Sequence, residues 1–242
     1  MLSLAAVLSG CTWTRPVVIE EATAPDGEEA TLAQVEWQGS RYEFAWVEVV
    51  PEQVSLGLNL PEKKPVERLV KENNCQVLIN GGFYGRDDKP IGWMVVEGRE
   101  VSAAEKNALF NGFVTIDGEG KVEIGERRAG GRVRVGLQSG PILILGSKER
   151  ALAVKNDAAK RRMVLAITES GKLVFLALVE AGSSLTGPRL NDLPAVMSLV
   201  GENLGEAWVG AINLDGGSAS AFKNGDFMLG EANPIGSYFC QK

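Results

Sequence analysis

The sequence contains no histidine. That absence excludes a Ser-His-Asp or Cys-His nucleophile system and any histidine-ligated zinc site. Acid, base and nucleophile must come from Asp, Glu, Lys, Tyr, Ser or Cys, which puts carboxylate chemistry first. Positive charge is also in deficit, with 25 Lys and Arg against 31 Asp and Glu for a net charge of −6. No electrostatic footprint for nucleic acid results, and the short cluster Lys160-Arg161-Arg162 suits one anionic group rather than a polyanion. The apolar N-terminal run is about ten residues, short of the roughly 20 that a membrane-spanning helix requires. Cysteine is scarce, with 3 residues in 242.

What is present at the N-terminus is Leu8-Ser9-Gly10-Cys11 after that apolar run. It resembles the lipobox of bacterial lipoproteins, where the signal is removed and the cysteine carries the lipid, although the usual basic n-region is missing. The expectation is a lipoprotein-type signal segment over residues 1–11 with Cys11 lipidated, then a polar, Glu-rich tether over 12–33. A single folded domain over 34–242 follows, in a bacterial cell envelope, anchored to the membrane and facing the periplasm or exterior. Setting Cys11 aside leaves Cys75 and Cys240, an even pair for an oxidising compartment. They either form a disulfide closing most of the domain, or Cys75 remains a buried thiol at the start of an apolar run.

With 45% apolar and 23% charged residues the chain is globular in composition. Partial period-two alternation in "AQVEWQG", "YEFAWVEVV" and "VSLGLNL" predicts strands before residue 60. "GWMVVEGREVSA" and "GFVTIDGEGKVEIG" read as hairpins around Glu97-Gly98 and "DGEG", and "RRMVLAITESGKLVFLALVEAG" as a strand pair. Two helices stand out. One lies in "KPVERLVKENN" with Pro65 in its first turn. The other runs roughly over 189–203, with Leu190, Leu193, Val196, Met197 and Val200 in a stripe and Gly205 past its end. Many strands, few helices, no internal repeat and no linker beyond about residue 34 predict an α+β fold: one domain, a mixed or antiparallel β-sheet core and a few packed helices.

Three strand-like runs end in glycine beside a polar residue: Asn80-Gly81-Gly82-Phe83, Gln138-Ser139-Gly140-Pro141, and Asn213-Leu214-Asp215-Gly216-Gly217-Ser218. Glycine there lets a ligand approach the backbone and leaves N–H groups able to meet an anion. Taken singly, each is also an ordinary turn.

Together, "INGGFY", "LQSGPILI", "RRMVLAIT", the second helix and "AINLDGGSAS", in this order and spacing, resemble the phosphodiester glycosidase family over about residues 35–240. The resemblance implies cleavage of a sugar from a phosphodiester at the anomeric carbon. A phosphate monoester is a good leaving group, so the chemistry asks for charge neutralisation on phosphate and a carboxylate at the anomeric face. By the same resemblance Asp215 is the catalytic carboxylate, nucleophile or base. Asn80, Gly81, Gly82 and Phe83 form one wall of the pocket, and Gln138, Ser139 and Gly140 another. Asn213, Gly216, Gly217 and Ser218 surround the acid, and Arg162 grips phosphate oxygens. The expected partner is a sugar phosphodiester or related anionic envelope glycan, and no cofactor is implied.

After "LVFLALV" the family commonly shows Asp-Gly-Arg, and this chain has Glu180-Ala181-Gly182 instead. Glu180 is then the candidate acid/base partner. A non-catalytic, glycan-binding lipoprotein on the same fold is the alternative, and a structural lipoprotein whose glycines serve only turns is a further one. Asp87 and Asp88 could offer oxygen ligands to a divalent cation but read better as a solvated turn. Trp46 and Trp93 could stack on sugars, though aromatics in strands are more often core.

Overall fold

A computed structural model describes residues 32–242. The signal segment, Cys11 and most of the tether lie outside the described residues, and the first strand already begins at Ala33. The chain opens with β1 (Ala33–Trp37), β2 (Ser40–Val49) and β3 (Val54–Leu58), then α1 (Val66–Asn73) and β4 (Val77–Asn80). Two hairpins follow, β5 (Met94–Val96) with β6 (Arg99–Ser102) and β7 (Gly112–Asp117) with β8 (Val122–Gly125). Next come β9 (Val133–Ser139), β10 (Ile142–Leu145), β11 (Lys148–Glu149), β12 (Arg162–Thr168) and β13 (Leu173–Glu180). The chain finishes with α2 (Leu193–Leu204), β14 (Trp208–Asn213), β15 (Phe222–Asn224), β16 (Phe227–Leu229) and β17 (Ser237–Gln241).

The strands form three sheets: a seven-stranded one ordered β1-β2-β13-β12-β14-β10-β11, and two five-stranded ones ordered β16-β15-β4-β17-β3 and β6-β5-β9-β7-β8. Every paired strand is antiparallel, which narrows the expected mixed or antiparallel core to the second option. One apolar core is shared by all three. Met163, Leu165 and Phe175 of the large sheet meet Ile79, Phe222 and Phe239 of the second and Val114, Val135 and Leu137 of the third. At roughly 1.5–3 kcal/mol for each large apolar side chain removed from water, this shared core is the main cohesive term.

The opposite face of the large sheet is covered by α2, whose Leu193, Val196, Met197 and Val200 pack on Val164, Ala166, Leu176 and Leu178. β12 and β13 are therefore buried on both faces, which is why they read as continuous apolar runs rather than alternating ones. The helix begins at Leu193, later than residue 189, because the Asp157 carboxylate accepts the amides of Leu190 (3.0 Å) and Asn191 (2.8 Å) and holds that segment as a turn. Gly205 ends it in the left-handed region, φ 66°. α1 packs Val66 and Leu69 against the second sheet beside a Cys75–Cys240 disulfide, so the pair is bonded.

Candidate active site

The fold brings the ends of β4, β9 and β14, one from each sheet, to the entrance of β12. β4 is wholly buried and ends in Asn80. The Asn80 Nδ2 donates to the carbonyl of Asp215 (2.8 Å), and its Oδ1 accepts the amide of Ala221 (2.9 Å). The Gly81 carbonyl accepts the Asp215 amide (3.1 Å), while the Gly81 amide donates to Ser237 O (2.7 Å). A Cβ on Gly81 would strike the Ser237 hydroxyl, so this close approach requires glycine. The Gly82 amide donates to the Ser237 Oγ (3.1 Å), and Phe83 stacks on Phe110 with ring centroids 4.2 Å apart.

From the second wall, the Ser139 hydroxyl (2.9 Å) and the Gly140 amide (3.0 Å) both donate to the carbonyl of Asn213. Asn213 answers with its Nδ2 to the Gly140 carbonyl (3.0 Å), and its buried Oδ1 is left without a hydrogen-bond partner. The Gln138 amide faces elsewhere. It binds Trp93 N, Glu105 N, Glu105 O and Phe110 O, so it anchors the loop that carries Phe110. Its contribution to the wall is indirect.

Asp215 sits where these strand ends meet. It keeps some accessible surface, yet burial pushes its carboxyl from 3.8 up to about 7, against the pull of the Gly216 N–H and the Lys160 charge. No second carboxylate contributes to that shift. The glycines beside it serve close approach, since a Cβ on Gly216 would stand 2.7 Å from the Arg161 carbonyl and Gly217 holds φ +70°. The expectation that both leave N–H groups open to an anion needs correction. The Gly216 N–H serves the Asp215 carboxyl, and the Gly217 N–H donates to Arg161 O (2.9 Å). Ser218 is exposed on the next turn, its Oγ accepting from Asn233 Nδ2 (2.8 Å).

Arg162 reaches the site but does not offer it a phosphate grip. Its Nε donates to Pro188 O (2.8 Å), and its Nη2 to Ala158 O (2.7 Å) and the Asp157 carboxylate (3.4 Å). With Nε and Nη2 both engaged, neither two-toothed face of the guanidinium is free. Burial lowers its pKa, with Asp157 opposing, as expected of a cation held in the interior for structural work. Glu180 is not among the groups that act on the Asp215 carboxyl. Its amide donates to Thr186 O (2.9 Å) while the Arg161 amide donates to Leu185 O (2.9 Å), so residues 185 and 186 run between Glu180 and the β12 entrance.

Arg161, grouped in the sequence with Lys160 and Arg162 as suited to an anion, is instead the bulkiest of the fully buried side chains at 1% exposure. Its Nε donates to Ser220 Oγ (2.9 Å), its Nη1 to Ser184 O (3.1 Å), and its Nη2 to Ser220 O (2.5 Å) and Gly230 O (2.9 Å). It thus clamps the turn that follows Asp215. Sequence reasoning misses Tyr84, whose hydroxyl donates to Pro234 O (2.6 Å) and whose pKa is raised by burial and then by Asp215. The tyrosine of "GGFY" is the signal that could have found it. Asp87 and Asp88 pair with Lys89 and Lys63. Among the described residues no three His, Cys, Asp or Glu side chains group as a metal site. Trp93 is core, its Nε1 donating to Glu100 (2.8 Å), while Trp46 is 38% exposed.

The site is thus a desolvated carboxylate where strand ends meet in an all-antiparallel, three-sheet α+β domain. The chain belongs to the phosphodiester glycosidase family, whose model matches residues 73–239 and so spans every strand end that meets at Asp215. Among solved structures it is similar to a hypothetical protein from Synechocystis, with 14% identity and a TM-score of 0.67 over 86% of this chain and 61% of that one. It is also similar to the zebrafish N-acetylglucosamine-1-phosphodiester alpha-N-acetylglucosaminidase catalytic domain auto-inhibited by pro-peptide, with 16% identity and a TM-score of 0.66 over 87% of this chain and 81% of that one. An exported protein from Burkholderia pseudomallei gives 12% identity and a TM-score of 0.60, over 84% and 74%. At such identities the likeness is one of fold. No curated protein matches the chain in sequence.

Proposed function

We propose that this protein hydrolyses a sugar phosphodiester at the anomeric carbon, with Asp215 as the carboxylate facing that carbon. The family assignment supplies the reaction type, and the observation that carries the residue is the desolvated Asp215 carboxyl at the meeting point of three sheets. The bond between the anomeric carbon and the phosphate oxygen breaks, the phosphate monoester leaves with the electron pair, and water supplies the new hydroxyl. A phosphate leaving group needs little protonation, which agrees with a site where one carboxylate stands without a second beside it. Ionised, Asp215 acts as nucleophile or as the base that takes the proton of water. A carboxyl with pKa about 7 is poised for either role near neutral pH.

The test is hydrolysis of a sugar-1-phosphodiester by purified protein and by Asp215→Asn. Loss of a general base or nucleophile costs about 10²-fold or more in kcat. Undiminished turnover in the variant would refute the assignment. The lack of any second carboxylate acting on Asp215 favours one alternative, an anionic-glycan-binding protein on the same fold. Tight binding with no turnover across a panel of sugar phosphodiesters would select it. We further propose that the domain is held at a bacterial cell envelope through a lipid on Cys11. The Cys75–Cys240 disulfide supports an oxidising compartment, and labelling with a radioactive fatty acid, lost in Cys11→Ala, tests the anchor.

A further inference from the structure

Lys160, Arg161 and Arg162 are consecutive cations at one strand entrance, and the fold gives them opposite fates. Both arginines are buried, at 1% and 5% exposure, with their donors turned onto backbone carbonyls, a serine hydroxyl and, for Arg162, the Asp157 carboxylate. Lys160 is exposed and forms no ion pair among the described residues. Its stem lies along Gly217: a Cβ on that glycine would stand 3.1 Å from Lys160 Cδ and 3.8 Å from Cγ. The lysine stem therefore runs over the turn that carries Asp215, and it is the one side-chain charge acting on the Asp215 carboxyl.

We propose that Lys160 holds the phosphate of the substrate and so makes this cleft selective for an anionic leaving group. The inference rests on the same cleft in which Asp215 is read as the anomeric carboxylate. Charge falls on the leaving oxygen as the bond to the anomeric carbon breaks, and a cation close to the carboxylate but not paired with it can neutralise that charge. An ammonium suits this role because it is a compact point charge with three rotatable donors, able to follow a phosphate whose oxygens move during the reaction. Ser218 assists from the same turn. Its Oγ already accepts from Asn233, so its own proton remains available to a phosphate oxygen. The family's arginine at position 162 has become structural in this chain, and the phosphate role has moved two residues towards the N-terminus.

The experiment is a calorimetric titration of inorganic phosphate into the wild-type protein, K160M, K160R and K89M, the last an exposed control lysine paired with Asp87. Hydrogen bonds to charged groups contribute about tenfold to a hundredfold in affinity. Phosphate binding is accordingly expected to fall at least about tenfold in K160M, to return largely in K160R and to be unaltered in K89M. In K160M the pH midpoint of Asp215, read by NMR of its carboxyl carbon, is expected to rise as the favourable charge is removed. Equal phosphate affinity in wild type and K160M, or no phosphate binding to the wild type, overturns the proposal. Hydrolysis assays report separately: a fully active Asp215→Asn protein with Lys160-dependent phosphate binding would sink the catalytic reading and leave the phosphate site standing.

Discussion

At the scale of single residues, burial of the Asp215 carboxyl costs stability. The native carboxyl holds a proton more tightly than the unfolded one, so between pH 3.8 and about 7 the native state binds more protons and stability falls as pH rises. Asp215→Asn removes that cost. In thermal unfolding the variant should gain on the wild type across this window, with the full gain above pH 7, on the order of a few kcal/mol at about 1.4 kcal/mol per pKa unit. Activity should move the other way: kcat/KM of the wild type rises with pH to a plateau above about 7 if the ionised form reacts. A profile falling through 7 would make Asp215 a general acid instead. Arg161 is the structural counterpart. Arg161→Met leaves the carbonyls of Ser220, Gly230 and Ser184 without their donor, and denaturant unfolding should register a loss of about 3 kcal/mol or more. Asp215 stands out in the sequence through the ordered set of motifs that resembles the phosphodiester glycosidase family, since its glycine-flanked strand end alone also reads as an ordinary turn. The division of labour among Lys160, Arg161 and Arg162 is not, since it depends on carbonyls of residues 184, 188, 220 and 230 that only the fold brings near.

At the scale of elements, the junction at Asp215 exists because β4, β9 and β14 stop where glycine lets their ends touch. The same device works inside the third sheet. Trp93 of the segment entering β5 packs its six-membered ring against Gly136 of β9, where a Cβ would stand 2.5 Å from the indole ring. Gly136→Ala should therefore expel the ring and cost about 1–3 kcal/mol, with a shift in tryptophan emission as the indole becomes wet. Hairpins are well marked by sequence. Glu97 and Gly98 both adopt positive φ, at 49° and 78°, as a two-residue turn demands. Asp117 Oδ1 accepts the amides of Glu119 and Lys121, each at 2.9 Å, and shapes the "DGEG" loop. The partition into three sheets is hidden, because pairs such as β3 with β17 join segments far apart in sequence. The start of α2 is hidden for a similar reason: the capping carboxylate belongs to Asp157, 33 residues before Leu190.

At the scale of the whole molecule, one feature fastens the second sheet across a long span of chain and another joins the three sheets. The disulfide links residues 165 apart and ties the start of β4 to the last strand. The chain-entropy model assigns a cross-link of that span roughly 5 kcal/mol. Replacing both cysteines with alanine should lower the unfolding midpoint accordingly, with the second sheet, which holds Gly81, loosening first. The other feature is the junction at Asp215. Its backbone amide hangs from Gly81 of the second sheet, its neighbour Leu214 donates to Met163 of the large sheet (2.8 Å), and Asn213 is held by Ser139 and Gly140 at the end of the third. A chain that has formed two sheets owns strands and cores but no cleft. During refolding, then, turnover should return only after the strand signal in circular dichroism is complete. On the proposed reading of Asp215, the junction is a three-input lock that would keep every partly assembled form of the protein catalytically silent.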